Sequence, residues 1–393
     1  MNAPLDRIRV DRIIEDLWQL VAIPSPTGQE RQVALVFAGL LAQAGATVEV
    51  DESNPCSPSV IGHLQGNRPG MTLQLAGHLD HIDVPHAAPV RTAATIAARG
   101  AADMKSGLAG ILEIVRILAE TGCDFPGRIL VTAYGLHEAP VGDSSTLIGL
   151  LKRGIKGDAA IVTEQLGSTI GKLVLEGKGQ AIWNVTIRRD GEACHELNYL
   201  PPSPDLFSVA LAIAAAIRDE SQRLAATTPR PGLLSAESLF VGQLHYGDFY
   251  NRMPAVCTLQ GTRRWNPDKT FNDVQQRLCD LVAGVPCPSG VTATVTWRLT
   301  GEAFAVDPAE PIIRAQRQAI ETLIGGPVKS VGMAAVCDTS RLVPIGGVPT
   351  VLSGLDNELA HADHEAVHLD RLPRDARLLM LITWNYLHQA VAK

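Results

Sequence analysis

"TLQLAGHLD", residues 72–80, is a short apolar run that breaks at Gly77 and closes on His78 and Asp80. The residues after it decide how it folds. "KSGLAGILEIVRILAE" (105–120) repeats apolar side chains three and four apart, at Leu108, Ile111, Leu112, Val115 and Leu118, which predicts a helix. "RILVTAYG" (128–135) reads as a second strand, "SSTLIGLLKRG" (144–154) as a helix and "DAAIVTE" (158–164) as a third strand. Short apolar strands alternating with helices imply an α/β layer, its mixed, mostly parallel sheet flanked by helices. Toward the N-terminus an amphipathic helix is expected over Arg7–Ala22. Beyond it, Ser25 and Thr27 with Glu30 in "SPTGQE" (25–30) read as the start of a second helix.

The pattern changes near Gly179. "QAIWNVTIRRDGEA" (180–193) alternates like a half-exposed strand, and a helix is expected over about Asp205–Gln222. "SLFVGQLHYG" (238–247), "AVCTLQGTRRW" (255–265), a helix around Thr270–Val282 and "VTATVTWRL" (291–299) follow. Strand–helix–strand–strand–helix–strand is the order of a ferredoxin-like α+β unit. After Gly301 a helix near Pro311–Ile324, the strand "VPTVLSG" (348–354) and a C-terminal helix return to the first pattern. The expected organisation is one domain in two segments, 1–178 and 301–393, around an inserted domain, 179–300.

Composition excludes several classes. The 393 residues suffice for two domains with substantial cores, and 46% hydrophobic with 19% charged residues is ordinary for a globular protein. A net charge of −7 without a basic run gives no reason to expect nucleic acid or an anionic membrane as partner. The longest apolar run, "LFSVALAIAAAI" from Leu206, is too short to span a bilayer. Seven cysteines, an odd number with no C-x-x-C pair, suit reduced thiols in a cytoplasmic protein. The charged N-terminus lacks the apolar centre of a secretion signal.

Acidic and imidazole groups gather at the ends of the expected strands. His78 and Asp80 lie two apart, on one side of an extended chain, so the carboxylate can hold the spare ring nitrogen of a ligating histidine. Asp103 precedes a helix, His137 and Glu138 follow a strand, and Glu164 ends another. "ELAHADHEAVHL" (358–369) supplies His361, His364 and Glu365. The C-terminal ends of α/β strands are where such folds bind ligands. Taken singly, Asp103 reads as a helix N-cap rather than a ligand, Glu164 as a solvated strand end and His361 as a hydrogen-bonded loop residue.

As an ordered set these residues resemble the co-catalytic zinc metallopeptidase family of acetylornithine deacetylase, succinyl-diaminopimelate desuccinylase, aminoacylase and glutamate carboxypeptidase. The family's G-H-x-D, G-x-x-D-x-K, Glu-Glu pair, strand-ending acid and late H-x-x-x-E correspond to "GHLD", "GAADMK", "HE", "IVTE" and "HADHE". The resemblance implies that Asp103 bridges two divalent metal ions, with His78 and Glu164 completing one site, Glu138 and His361 the other, and Asp80 behind His78. Zinc is the metal implied, with manganese or cobalt as substitutes. The insertion corresponds to a lid and dimerisation domain, which implies a homodimer. In it His195 matches a histidine reaching the reacting carbonyl across the dimer, Asn251 the lid asparagine and Arg264 an arginine gripping substrate carboxylate. Asp338 falls in a segment lining the substrate pocket.

One position departs from the pattern. An ungapped match puts His137 where the family has its glutamate general base, and Glu138 on the ligand position. Histidine can serve as a base at neutral pH, and a neutral imidazole can also ligate metal. Three functions follow. The first is hydrolysis of the amide bond of a small N-acyl amino acid, dipeptide or related carboxylate-bearing substrate. The second is cleavage of a non-peptide C–N bond, as in an aminohydrolase or deaminase. The third is a metal-binding homologue without catalysis.

Overall fold

A computed structural model describes residues 3–164, 171–198, 205–227, 234–355 and 358–389. In chain order the principal elements begin with helices α1 (Val10–Val21) and α2 (Arg31–Gln43) and strands β1 (Thr47–Asp51), β2 (Ser59–Gln65) and β3 (Arg68–His78). Next come α3 (Ser106–Glu120), β4 (Pro126–Tyr134), α4 (Ser145–Lys152) and β5 (Ala159–Val162). The following stretch holds β6 (Gly179–Arg189), α5 (Leu206–Ala226), β7 (Ser238–Tyr246), β8 (Val256–Trp265), α6 (Phe271–Ala283) and β9 (Val291–Gly301). The last part is α7 (Pro311–Ile324), β10 (Thr350–Leu352) and α8 (Leu372–Leu387).

The chain divides into two compact units. Met1–Leu175, Val306–Ser330 and Arg341–Lys393 form the first, and Glu176–Ala305 with Val331–Ser340 form the second. The first is built on a six-stranded mixed sheet in the order β1-β2-β4-β3-β5-β10. The pairs β4/β3, β3/β5 and β5/β10 are parallel, while β1/β2 and β2/β4 are antiparallel. Register lines up the strand ends, with His78 opposite Tyr134 and Ala76 opposite Val162. Central parallel strands are buried on both faces, so β3 becomes fully buried toward its C-terminal end. Ala76 packs in a cluster with Leu147 and Leu150 of α4. A Cβ on Gly77 would meet Leu108 of α3. Successive strand residues face opposite ways, so helices cover both sides of the sheet.

Helix α1 buries Ile13, Leu17 and Leu20 and packs on α3. Gly107, in the first turn of α3, makes close approach possible: a Cβ there would fall 2.0 Å from the Thr163 carbonyl oxygen. The helix is thereby pressed against the end of β5, beside Glu164.

The second unit carries an antiparallel sheet in the order β7-β8-β6-β9. With α5 and α6 this is the expected strand–helix–strand–strand–helix–strand arrangement. Trp183, Val185 and Ile187 of β6 pack with Val209 and Ile213 of α5 and Leu278 and Val282 of α6. A reciprocal capping box between Thr270 and Asp273 starts α6. Among the described residues no helix is long and apolar enough to cross a membrane.

Candidate metal centre

His78 is the last residue of β3 and has no exposed surface. Its Nε2 lies 3.1 Å from Asp103 Oδ1. Its Nδ1 is 3.1 Å from the backbone oxygen of Asp80 and 3.5 Å from the Asp80 carboxylate. Asp80 Oδ2 accepts from the Thr27 hydroxyl at 3.0 Å and from the backbone N–H groups of His137 and Glu138 at 3.0 and 2.8 Å. One buried carboxylate therefore backs His78 and suspends the loop that presents the His-Glu pair.

The polar residues of "SPTGQE" do not form the expected helix cap. Helix α2 starts at Arg31 without a side-chain cap. Instead the Ser25 hydroxyl donates to the Leu79 carbonyl, Thr27 donates to Asp80, and Glu30 accepts from the N–H groups of Gly28 and Leu136. The reason is that these groups meet long-range partners at the end of β3 and after β4, which compete with the local capping geometry.

Asp103 is likewise not an N-cap. Its backbone (φ −122°, ψ 95°) and that of Met104 are non-helical, and α3 begins only at Ser106. This turns the Asp103 carboxylate so that Oδ1 meets His78 and Oδ2 lies 3.2 Å from His361 Nε2. The same His361 nitrogen is 2.9 Å from Glu138 Oε1. Lys105, fully buried, donates to the carbonyls of Leu20 and Ile23, closing the C-terminal end of α1 onto this turn. Burial lowers the Lys105 pKa to about 7. Glu164 is buried two residues beyond β5, and the N–H of Thr163 donates to Ala76, which sets Glu164 level with the end of β3.

Sequence reasoning gave no role to Glu365, although its motif was in view. Its buried carboxylate accepts from the N–H groups of Gly100, Ala102 and Asp103 and from Arg99. Partners that are backbone groups leave no trace in residue identities, so only the H-x-x-x-E spacing pointed there.

The electrostatics are those of a cation site. Burial alone would penalise charge on His78, yet its hydrogen bonds to Asp103 and Asp80 raise its pKa well above the ordinary histidine value. Hydrogen bonds to Asp103 and then Glu138 lift His361 to about 10. Asp103 is pushed far down despite its burial, because His361 and His78 both bond to it. Among the described residues, donor atoms of His78, Asp103 and Glu138 all lie within 4.8 Å of one another. Buried carboxylates gathered this closely require a compensating positive charge, and imidazole with carboxylate donors fits a divalent ion of the zinc type.

His137 is half-buried and its ring stacks on that of His78, with centroids 4.0 Å apart and planes 1° apart. It is not one of the three residues whose donor atoms cluster.

The remaining site residues belong to the second unit. His195 lies on the short strand Cys194–His195, paired antiparallel with Arg252–Met253. The Leu197 N–H donates to His195 Nδ1 at 3.2 Å, and the Asn251 side-chain amide nitrogen lies 3.2 Å from His195 Nε2. Arg264, on β8, donates to the Ala334 carbonyl at 2.7 Å, and burial lowers its pKa. Asp338 is buried within Val331–Ser340.

The sequence profile of peptidase family M20/M25/M40 matches residues 74–385, most of the chain. A succinyl-diaminopimelate desuccinylase from Methylobacterium sp. (strain 4-46) is 28% identical over 386 residues, covering 90% of this chain and 91% of that protein. An N-formyl-4-amino-5-aminomethyl-2-methylpyrimidine deformylase from Bacillus subtilis (strain 168) is 22% identical over 426 residues, covering 96% of each chain. Among solved structures, aminopeptidase PepT from Bacillus cereus ATCC 10987 shares the fold with a TM-score of 0.77 at 18% identity, covering 98% of this chain and 100% of that one. A profile match over this span, on a chain whose strand ends converge in this way, assigns the chain to peptidase family M20/M25/M40, a family of metal-binding hydrolases of amide C–N bonds.

Proposed function

We propose that the protein is a dinuclear, metal-dependent hydrolase of the amide bond of a small N-acyl amino acid, dipeptide or related carboxylate-bearing substrate. The observation that carries this reading is the Asp103 carboxylate, with one oxygen against His78 and the other against His361. Asp103 would be the ligand shared by two ions, with His78 and Glu164 to hold one and Glu138 and His361 to hold the other. Zinc is the preferred metal, with manganese or cobalt able to substitute. Divalent ions held there would supply a water of lowered pKa and polarisation of the scissile carbonyl.

The chain's own groups supply the rest. Asp80 fixes the ring of His78. His137 accepts the proton of the attacking water and returns it to the leaving nitrogen. His195 reaches the oxygen of the reacting carbonyl, and Asn251 holds its ring in place. Arg264 pairs with the substrate carboxylate, and Asp338 helps line the pocket.

The enzyme works as a cytoplasmic homodimer joined through the second unit, His195 acting in the partner's site. Support comes from β7, an edge strand whose Phe240 and Leu244 are exposed, an arrangement that invites pairing with another chain. A second reading, cleavage of a non-peptide C–N bond, draws on His137 standing where the family has glutamate.

Metal analysis with a substrate panel tests the proposal. Purified protein should hold up to two divalent ions per chain and turn over at least one N-acyl amino acid or dipeptide, and chelation should stop it. Asp103→Ala should lose more metal than any other single substitution. Full occupancy in Asp103→Ala would remove the bridging role.

A further inference from the structure

We propose that Glu365 is the positioning residue of the metal centre, holding the Asp103 turn and the His361 segment in a single register; this rests on the proposed reading of Asp103 as a bridging ligand. The turn at 100–103 cannot satisfy its own backbone. Gly100 is left-handed (φ +78°) and Asp103 is non-helical, so the N–H groups of Gly100, Ala102 and Asp103 turn toward one point. Successive N–H groups arranged in this way form an anion-binding nest. The anion is supplied by the chain itself. Glu365 Oε1 accepts from Ala102 and Asp103 at 2.9 and 3.1 Å, and Oε2 from Gly100 and Arg99 at 3.0 Å each. All the acceptor capacity of the carboxylate is used.

The same residue ties down the segment that delivers His361. The N–H of Ala98 donates to the Glu365 carbonyl, and Ala366–His368 pairs antiparallel with Thr95–Ala97. Arg99 donates both to Glu365 and to the Ala362 carbonyl, one residue past His361. Asp103 and His361 are thus set at their spacing from behind by one ion pair whose side chains are only 1% and 2% exposed. Burying such a pair costs desolvation energy that an apolar pair would not, so stability alone does not account for it.

The test is a cobalt(II) titration of the chelator-stripped full chain, followed by visible absorption. Glu365→Gln offers one oxygen and an amide that faces donors, so the turn should relax and cobalt affinity should fall about 10–100-fold, as for other groups that orient ligands. Glu365→Asp, which keeps the charge, should fall between that variant and the wild type. Arg99→Leu/Glu365→Leu removes both charges together and guards against simple unfolding of the single variant. It should fold by circular dichroism yet bind cobalt as weakly as Glu365→Gln. A merely structural pair would lower the melting temperature of the stripped protein and leave cobalt affinity untouched in the folded variants; that result overturns the proposal. Wild-type protein that takes up no cobalt overturns the metal reading itself, which is a different outcome.

Discussion

Replacing His137 by phenylalanine separates its two contributions to the site. The ring lies flat on His78 at 4.0 Å, so part of what it does is packing. A stacked aromatic pair is worth about 0.5–1.5 kcal/mol, equivalent to about 2- to 13-fold in a rate or binding constant. A positioned acid–base group is worth about 10²–10⁴-fold in kcat, or about 2.7–5.5 kcal/mol of barrier. Phenylalanine keeps the stack and removes both nitrogens; alanine removes everything. If His137 carries the proton, His137→Phe and His137→Ala should both retain metal and both lose at least about 10²-fold in kcat. His137→Glu, which restores the family residue, should recover measurable turnover. The assay is steady-state kinetics on an active substrate, with metal content measured on the same preparations. A phenylalanine variant within a few fold of wild type would refute the proton-carrying role and reduce His137 to a packing partner of His78. Metal loss from both variants would instead make it a ligand.

Phe240→Glu places a charge on the exposed edge strand β7 and should convert the proposed dimer to a monomer by light scattering without altering circular dichroism; an unchanged mass would exclude β7 from the interface. Mixing inactive Asp103→Ala with inactive His195→Ala should regain activity, because a hybrid dimer holds one complete site; failure after verified subunit exchange counts against action across the dimer. In the second unit, Arg223 and Arg277 hold the Glu220 pKa down to about 2 against an ordinary 4.5. A depressed carboxylate stabilises the fold above its unfolded pKa and loses that contribution as pH falls through the folded one. Urea unfolding should therefore find Glu220→Gln less stable than wild type by about 1–2 kcal/mol at neutral pH, a modest figure because both arginines are half-exposed and screened. The gap should close between pH 4.5 and about 2; a gap independent of pH would mean that the ion pairs contribute nothing.

The architecture was legible wherever periodicity carried it. The alternation from Thr72 to Glu164 and the order of elements from Gln180 to Leu299 both appear in the folded chain, because burial on one stripe or face leaves its period in the sequence. Local grammar misled where distant partners won. Ser25, Thr27 and Glu30 have the composition of a helix start, yet their bonds run to Leu79, Asp80 and Leu136. Asp103 alone has the identity of a cap, and only its φ and ψ show that helix α3 has not yet begun. The clustering of His78, Asp103, Glu138 and His361 was accessible through motif order but not through spacing, since the last of them lies 223 residues from Glu138. Glu365, Lys105 and Arg99 act chiefly on backbone atoms, and a sequence does not display where its own amides point.

The carboxylate of Asp80 grips residues 137 and 138 by their main-chain N–H groups, and an amide N–H is the same whatever side chain it carries. Position 137 is therefore a socket. Any residue other than proline keeps the main-chain N–H by which Asp80 holds this position. A lineage could exchange glutamate for histidine at this point without re-evolving the rest of the centre. A library randomised at residue 137 alone should likewise sample new chemistries on an intact ligand frame, which makes it a natural starting point for redesign.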